Sequence, residues 1–323
     1  KLARGNALRH VVQYPPRGEI FDRNGEYLAQ NRVCYDLMVI YRELPREGFD
    51  TLQMLDLLGI SRTKLERALR NARMSPRIPY MVTNFISSEV KLRFDENDFP
   101  GFYTVYRTIR SYPRKIGGNL LGDVGEINER QLKMKRYADY RSGDYVGQSG
   151  VEKAYEEELR GKKGVKIMEK DTHGVVKGSY MDGMFDSLPE PGNYIVTTID
   201  ARLQAFTEEL MRGKVGAAST GEILMRVSSP TFDPDEMVGR HRGNNYMKML
   251  YNKRQPMFNR AVKAKYPPGS TFKLVQGLIG LQEGVLTPAD RYSCNGGFRY
   301  GHRMMKCHAH ASPLDLRGAV AHS

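Results

Sequence analysis

Apolar positions flank an Asn-Gly pair early in the chain, with Ile20 and Phe21 before Asn24-Gly25 and Tyr27 and Leu28 after it. That arrangement predicts a tight β-hairpin turn. Residues 33–41 are apolar enough for a strand. Two helices are then predicted: Asp50 caps residues 51–58 with Gly59 as the stop, and Thr63 with Glu66 fits a capping box, so that Leu65, Ala68, Leu69 and Ala72 share one face. Residues 102–110, rich in aromatic and β-branched side chains, read as a strand. Ser149 and Glu152 form a second capping-box pattern ahead of a stripe of Val151, Ala154, Tyr155 and Leu159, ended by Gly161. The charged face with Lys153, Glu156, Glu157, Glu158 and Arg160 is assigned to solvent.

Pro189 and Pro191 punctuate a polar stretch at 184–192, which predicts a domain boundary, followed by a strand at 194–199. Asp200 caps a helix whose Leu203, Phe206, Thr207 and Leu210 lie on one side. A turn at Ser219-Thr220-Gly221 leads into a strand ending near Ser228. A hairpin needs arms of equal length, and residues 215–218 are short for that partner, so a gap in the chain is expected near Ala217 and Ala218.

Composition narrows the classes. The length suits about two domains, and 40% apolar residues rule against a disordered chain. No run approaches the roughly 18 apolar residues of a membrane span, so any anchor is expected before Lys1. The net charge of +13 would draw polyanions such as nucleic acid or anionic lipid. No basic run interleaved with aromatics and no zinc-finger spacing supports nucleic acid, and a solvated basic surface also accounts for the excess. Three cysteines are too few for a disulfide scaffold.

One segment carries chemistry. Ser270-Thr271-Phe272-Lys273 puts a hydroxyl and an amine three residues apart, on one helical face. The same spacing at Ser61/Lys64 and Ser88/Lys91 is read as ordinary helix surface. Only Ser270 follows a stiff Pro267-Pro268-Gly269 turn, and only Lys273 opens a segment apolar nearly all round, with Leu274, Val275, Leu278, Ile279 and Leu281. A lysine desolvated in a buried helix can accept the serine proton, which makes the pair an activated nucleophile. A second cluster lies near the C-terminus. Cys294, Cys307 and His310, with His308 as an alternate, offer a zinc-type ligand set; a Cys294 to Cys307 disulfide or free thiols are the competing readings.

Ser-x-x-Lys is part of the signature of penicillin-binding proteins and class A β-lactamases. Four stretches here, in order, resemble class B penicillin-binding proteins. They are Arg17-Gly18-Glu19-Ile20 with Asp22-Arg23-Asn24-Gly25, Gly147 to Lys153 with Tyr155, Leu159 and Gly161, Thr197-Thr198-Ile199-Asp200 with Leu203-Gln204, and Asn259-Arg260-Ala261 with Tyr266 to Lys273. The wording of the second and last is similar to the elongation-type members.

The resemblance implies an α+β pedestal domain over residues 1–186. An α/β penicillin-binding domain of the serine transpeptidase, β-lactamase-like kind is then expected over 187–323, C-terminally incomplete because Ser-x-Asn and Lys-Thr-Gly are not present after Ser270. It further implies Ser270 as nucleophile, Lys273 as base and Ser323 as proton carrier, with no cofactor needed for catalysis. Implied ligands and partners are peptidoglycan stem peptides, lipid-linked precursor strands, β-lactam antibiotics and a SEDS-family glycosyltransferase, but no nucleic acid. The implied location is the bacterial cell membrane, with the catalytic part outside the cytoplasm. A non-catalytic pedestal that activates the glycosyltransferase is the rival expectation.

Overall fold

The computed structural model describes residues 8–45, 51–97, 99–170 and 176–322. They form two compact units, Lys1–Lys263 and Ala264–Ser323.

In the first unit the Asn-Gly turn is present: β2 (Ile20–Phe21) pairs antiparallel with β3 (Tyr27–Val39), following β1 (Leu8–Gln13) in the chain. Gly25 takes a left-handed φ of 83°, a conformation that favours glycine. Strand β3 begins well before the predicted segment 33–41 and ends just short of it, at Val39. It pairs with β4 (Tyr80–Ile86) and, over ten residues, with β5 (Phe102–Ser111). Helices Thr51–Leu58, Arg62–Met74 and Ser88–Asp95 cover the far end of this sheet around Leu37, Met54, Leu65, Ile86 and Phe94. Ser61, not Thr63, caps the second helix, because its side chain accepts from the Lys64 N–H. Asp50, the expected cap of the first, lies outside the described residues.

The near end of β3 enters a different core, with Ile20, Leu28, Tyr112, Leu121, Leu159 and Ile199. Next come β6 (Val124–Glu126) paired with β7 (Tyr145–Gly147), and β8 (Gly164–Lys170) between β1 and β9 (Val176–Ser179). The strand expected at 194–199 shortens to β10 (Ile195–Val196), parallel to β2, because Thr197 then bonds the Phe21 carbonyl through both its N–H and its hydroxyl as the chain turns towards the next helix.

Asp200 caps helix Ala201–Leu210 as expected, accepting from the Arg202 and Leu203 N–H groups. Half of the face expected inside is turned out, however: Phe206 is 60% and Leu210 54% exposed. Gln204 decides this. Its side chain bonds both the N–H and the carbonyl of Arg226, which turns Ala201, Gln204 and Thr207 towards the following hairpin, so that Thr207 is the one member of the expected face that is buried. That hairpin, β11 (Gly216–Ser219) with β12 (Arg226–Ser229), closes with four residues on each arm, the rest forming the loop. A longer first arm is not required.

The second unit contains a 3-10 turn at Gly269–Thr271, helix Phe272–Gln282, a hairpin of β13 (Gly297–Tyr300) and β14 (Arg303–Lys306), and helix Leu316–Ala321.

Candidate active site

The serine and lysine stand at the mouth of the longest helix of the second unit. Gly269 takes φ 61° after the two prolines, and the Thr271 hydroxyl donates to the Pro268 carbonyl at 2.6 Å, which closes the turn. Ser270 lies in that turn and Lys273 is the second residue of helix Phe272–Gln282, so the spacing of three keeps both on one side.

Both residues are exposed, and the buried helix expected from the apolar run is not found. Leu278 is 67%, Leu274 56% and Ile279 51% exposed, and only Gly277 is buried, beside Leu316. A helix apolar all round buries itself only against covering layers. Among the described residues of this unit, the other regular elements after it are one two-stranded hairpin and one short helix, and it is the short helix that lies against Gly277. Ser323 lies outside the described residues. The other two Ser-x-x-Lys copies are surface features, as read: Ser61 is a cap, Lys64 donates to the Thr83 hydroxyl at 3.0 Å, and Lys91 pairs with Asp95.

The β13–β14 hairpin gathers the second cluster. Gly297 faces Lys306 across the ladder, and the Cys307 N–H bonds the Gly296 carbonyl at 3.0 Å, which draws the flanking cysteines together. Ligand atoms of Cys294, Cys307 and His310 all lie within 4.8 Å of one another. His308 is not among them, since its Nε2 bonds the His322 carbonyl at 2.6 Å.

The His310 Nδ1 bonds the Ala311 carbonyl at 2.6 Å, which leaves Nε2 as the ring's donor atom for a metal. A backbone hydrogen bond at Gly296 and then the His310 ring hold the Cys294 thiol below its ordinary pKa. The Ala311 carbonyl and Cys294 raise that of His310. Two sulfurs and an imidazole on a small convergent site fit zinc, which takes mixed Cys/His ligands.

A third site was misread from sequence. Ser149 does not form a capping box; its hydroxyl bonds Asp123 at 2.8 Å, and the predicted helix breaks at Tyr155 into Gly150–Ala154 and Glu156–Leu159. The broken helix aims Glu152 and Glu156 inward, so neither belongs to the solvent face expected for Glu156. Arg17 bonds Glu152 at 2.7 Å and Glu156 at 2.6 Å, and Arg110 bonds Glu152 at 2.6 Å and the Gly18 carbonyl at 2.7 Å. Tyr112 and Tyr140 donate to the same two carboxylates.

Burial alone would push the Glu152 carboxyl up, but Arg110 and Arg17 more than offset it and hold its pKa below the usual carboxylate value. Nothing local in the sequence separates Arg110 from Arg107 on the same strand, or marks Tyr112 just beyond it.

Comparison with known proteins places these features. Residues 12–197 match the penicillin-binding protein dimerisation domain, and residues 215–323 match the penicillin-binding protein transpeptidase domain. The peptidoglycan D,D-transpeptidase MrdA of Acinetobacter baumannii is 32% identical over 304 residues, covering 91% of this chain and 44% of that protein. The MrdA protein of Escherichia coli K12 is 31% identical over 303 residues, covering 87% and 46%.

Among solved structures, a peptidoglycan synthase complex that coordinates polymerization and crosslinking has a chain 29% identical with a TM-score of 0.65, covering 97% of this chain and 55% of its own. Penicillin-binding protein 2 from Helicobacter pylori, solved with MreC, is 24% identical with a TM-score of 0.67, covering 93% and 57%, and shares the fold. The chain spans about half the length of the curated relatives it matches. With both domain models matched in succession, and with the stretch that holds Arg17 meeting the stretch that holds Glu152 in one buried network, the chain belongs to the penicillin-binding proteins that join a dimerisation (pedestal) domain to a transpeptidase domain.

Proposed function

We propose that this chain carries the nucleophile segment of a peptidoglycan D,D-transpeptidase that cross-links stem peptides in cell-wall elongation. The supporting observation is Ser270 and Lys273 on one side of a turn-to-helix junction, inside the stretch matched by the transpeptidase model. The Ser270 oxygen attacks the carbonyl of the penultimate D-Ala, Lys273 takes the serine proton, and the terminal D-Ala leaves as its amine is protonated. An amine of a neighbouring stem then attacks the ester and frees Ser270. The Ser270 backbone N–H supplies one donor to the oxyanion, and Ser323 passes the proton to the leaving amine.

In this reading residues 1–186 are the pedestal, residues 187–323 belong to the transpeptidase domain, and the protein is held at the membrane by an anchor before Lys1 with its catalytic part outside the cytoplasm. Its substrates are stem peptides on lipid-linked precursor strands, its partner is a SEDS-family glycosyltransferase, and β-lactams acylate the same serine. The likeness to a chain of a solved peptidoglycan synthase complex supports the partner. Treating the full-length protein with a fluorescent penicillin tests the chemistry. A covalent label that disappears in Ser270→Ala is expected. An unlabelled wild-type protein would leave the pedestal as a non-catalytic activator instead.

We further propose that Cys294, Cys307 and His310 hold a structural zinc ion that ties down the base of the β13–β14 hairpin. Their convergent donor atoms support it. Metal analysis of the purified protein should find about one zinc per chain, lost together in Cys294→Ser and Cys307→Ser. Metal-free protein with both thiols open to alkylation, or with neither open until reduced, would remove the zinc in favour of free thiols or a disulfide.

A further inference from the structure

Helix Arg62–Met74 buries Leu65, Ala68 and Ala72 and turns a basic face outward. Arg67, Arg70 and Arg73 are exposed there, and Arg77 follows in the next turn. The helix has one carboxylate, Glu66, and it is already paired with Arg62 at 3.0 Å. No ion pair reaches Arg67, Arg70, Arg73 or Arg77 among the described residues.

The same end of the helix exposes apolar side chains: Met74 is 85%, Ile78 54% and Met81 46% exposed. The connection from this helix to β4, which carries Ile78 between Met74 and Met81, is held firmly. The Arg42 N–H bonds the Pro76 carbonyl at 2.9 Å, the Ile78 N–H bonds that of Ser75 at 2.9 Å, and Asn71 donates to the Tyr80 hydroxyl at 2.9 Å.

Exposed apolar side chains occur elsewhere on this protein, but here they stand beside arginines that no ion pair reaches among the described residues. Unpaired arginines ringing exposed apolar side chains are the surface chemistry of an interfacial anchor, in which the apolar groups enter the acyl boundary while the guanidinium groups meet phosphates. We propose that this face, Arg67, Arg70, Arg73 and Arg77 with Met74 and Ile78, docks on an anionic phospholipid surface. The proposal is independent of the transpeptidase reading.

No described helix is long and apolar enough to cross a membrane, so flotation of this chain with vesicles reads out surface binding. Binding to phosphatidylglycerol-rich vesicles at low salt is expected, weakening as salt rises, with little binding to pure phosphatidylcholine. Each arginine near an anionic surface is worth about fivefold in partitioning, so R67Q/R70Q/R73Q should weaken vesicle binding by about one hundredfold. Its thermal midpoint should not move, because all three side chains are exposed. M74S/I78S should weaken binding while keeping the salt dependence. No binding to anionic vesicles, or equal binding by wild type and the triple variant, overturns the proposal. If poly-glutamate holds the protein as tightly as the vesicles do and M74S/I78S changes nothing, the face belongs to an acidic polypeptide and the lipid assignment falls.

Discussion

Glu152 is fully buried and bonded to two arginines and a tyrosine. A charge in that position is tolerable only while its partners stay, because desolvation of a carboxylate costs several kcal/mol unless paired. Removing its charge leaves Arg110 buried with the Gly18 carbonyl as its main remaining partner and Arg17 with Glu156. Glu152→Gln should therefore lower unfolding stability by about 3–5 kcal/mol. Denaturant titration measures this, and a loss under 1 kcal/mol would mean that the network relaxes around the amide. Surface pairs such as Arg62 with Glu66 should by contrast be worth only a few tenths of a kcal/mol.

Elements meet backbone to backbone where those motifs cross. Gly122 takes φ 83°, and a Cβ there would stand 1.9 Å from the Ser149 carbonyl oxygen. This close approach lets helix Gly118–Leu121 pack beside Gly150–Ala154 and sets the direction in which Glu152 points. Alanine is both sterically excluded and conformationally strained at this position. Gly122→Ala should cost at least about 2 kcal/mol. An unchanged thermal midpoint would show that the two segments can separate without loss.

At the scale of the whole first unit, Asp22 joins ends of the chain far apart in sequence. Its buried carboxylate accepts from the Asn24 N–H at 2.7 Å, the Glu26 N–H at 2.8 Å and the Ala201 N–H at 3.1 Å. Burial would raise its pKa, but these hydrogen bonds outweigh burial and lower it. Asp22 and Glu152 thus both have folded pKa values below their unfolded values of about 3.9 and 4.3. Such groups bind fewer protons folded than unfolded, so their stabilisation is complete above about pH 5 and is lost as pH falls through the folded values. The thermal midpoint should fall below about pH 4, and Glu152→Gln should flatten that dependence. A wild-type midpoint that stays level to pH 3 would contradict the assignment.

Local rules made much of this protein legible in its sequence. The Asn24-Gly25 turn, the strand at β5, the cap at Asp200 and the Ser270 to Lys273 spacing each depend on neighbours a few residues away, and each is where the sequence predicts it. The gathering of Cys294, Cys307 and His310 was also legible, because a short hairpin closes the distance. Burial was not, since it depends on what covers a face rather than on the face itself. Gln204 lies inside while Phe206 lies outside, Glu152 and Glu156 are buried because Arg17, from the loop before β2, and Arg110, from β5, reach them, and the apolar helix after Ser270 is exposed within its unit. Pairing between residues distant in sequence leaves no periodicity to read, and tertiary structure alone decides it.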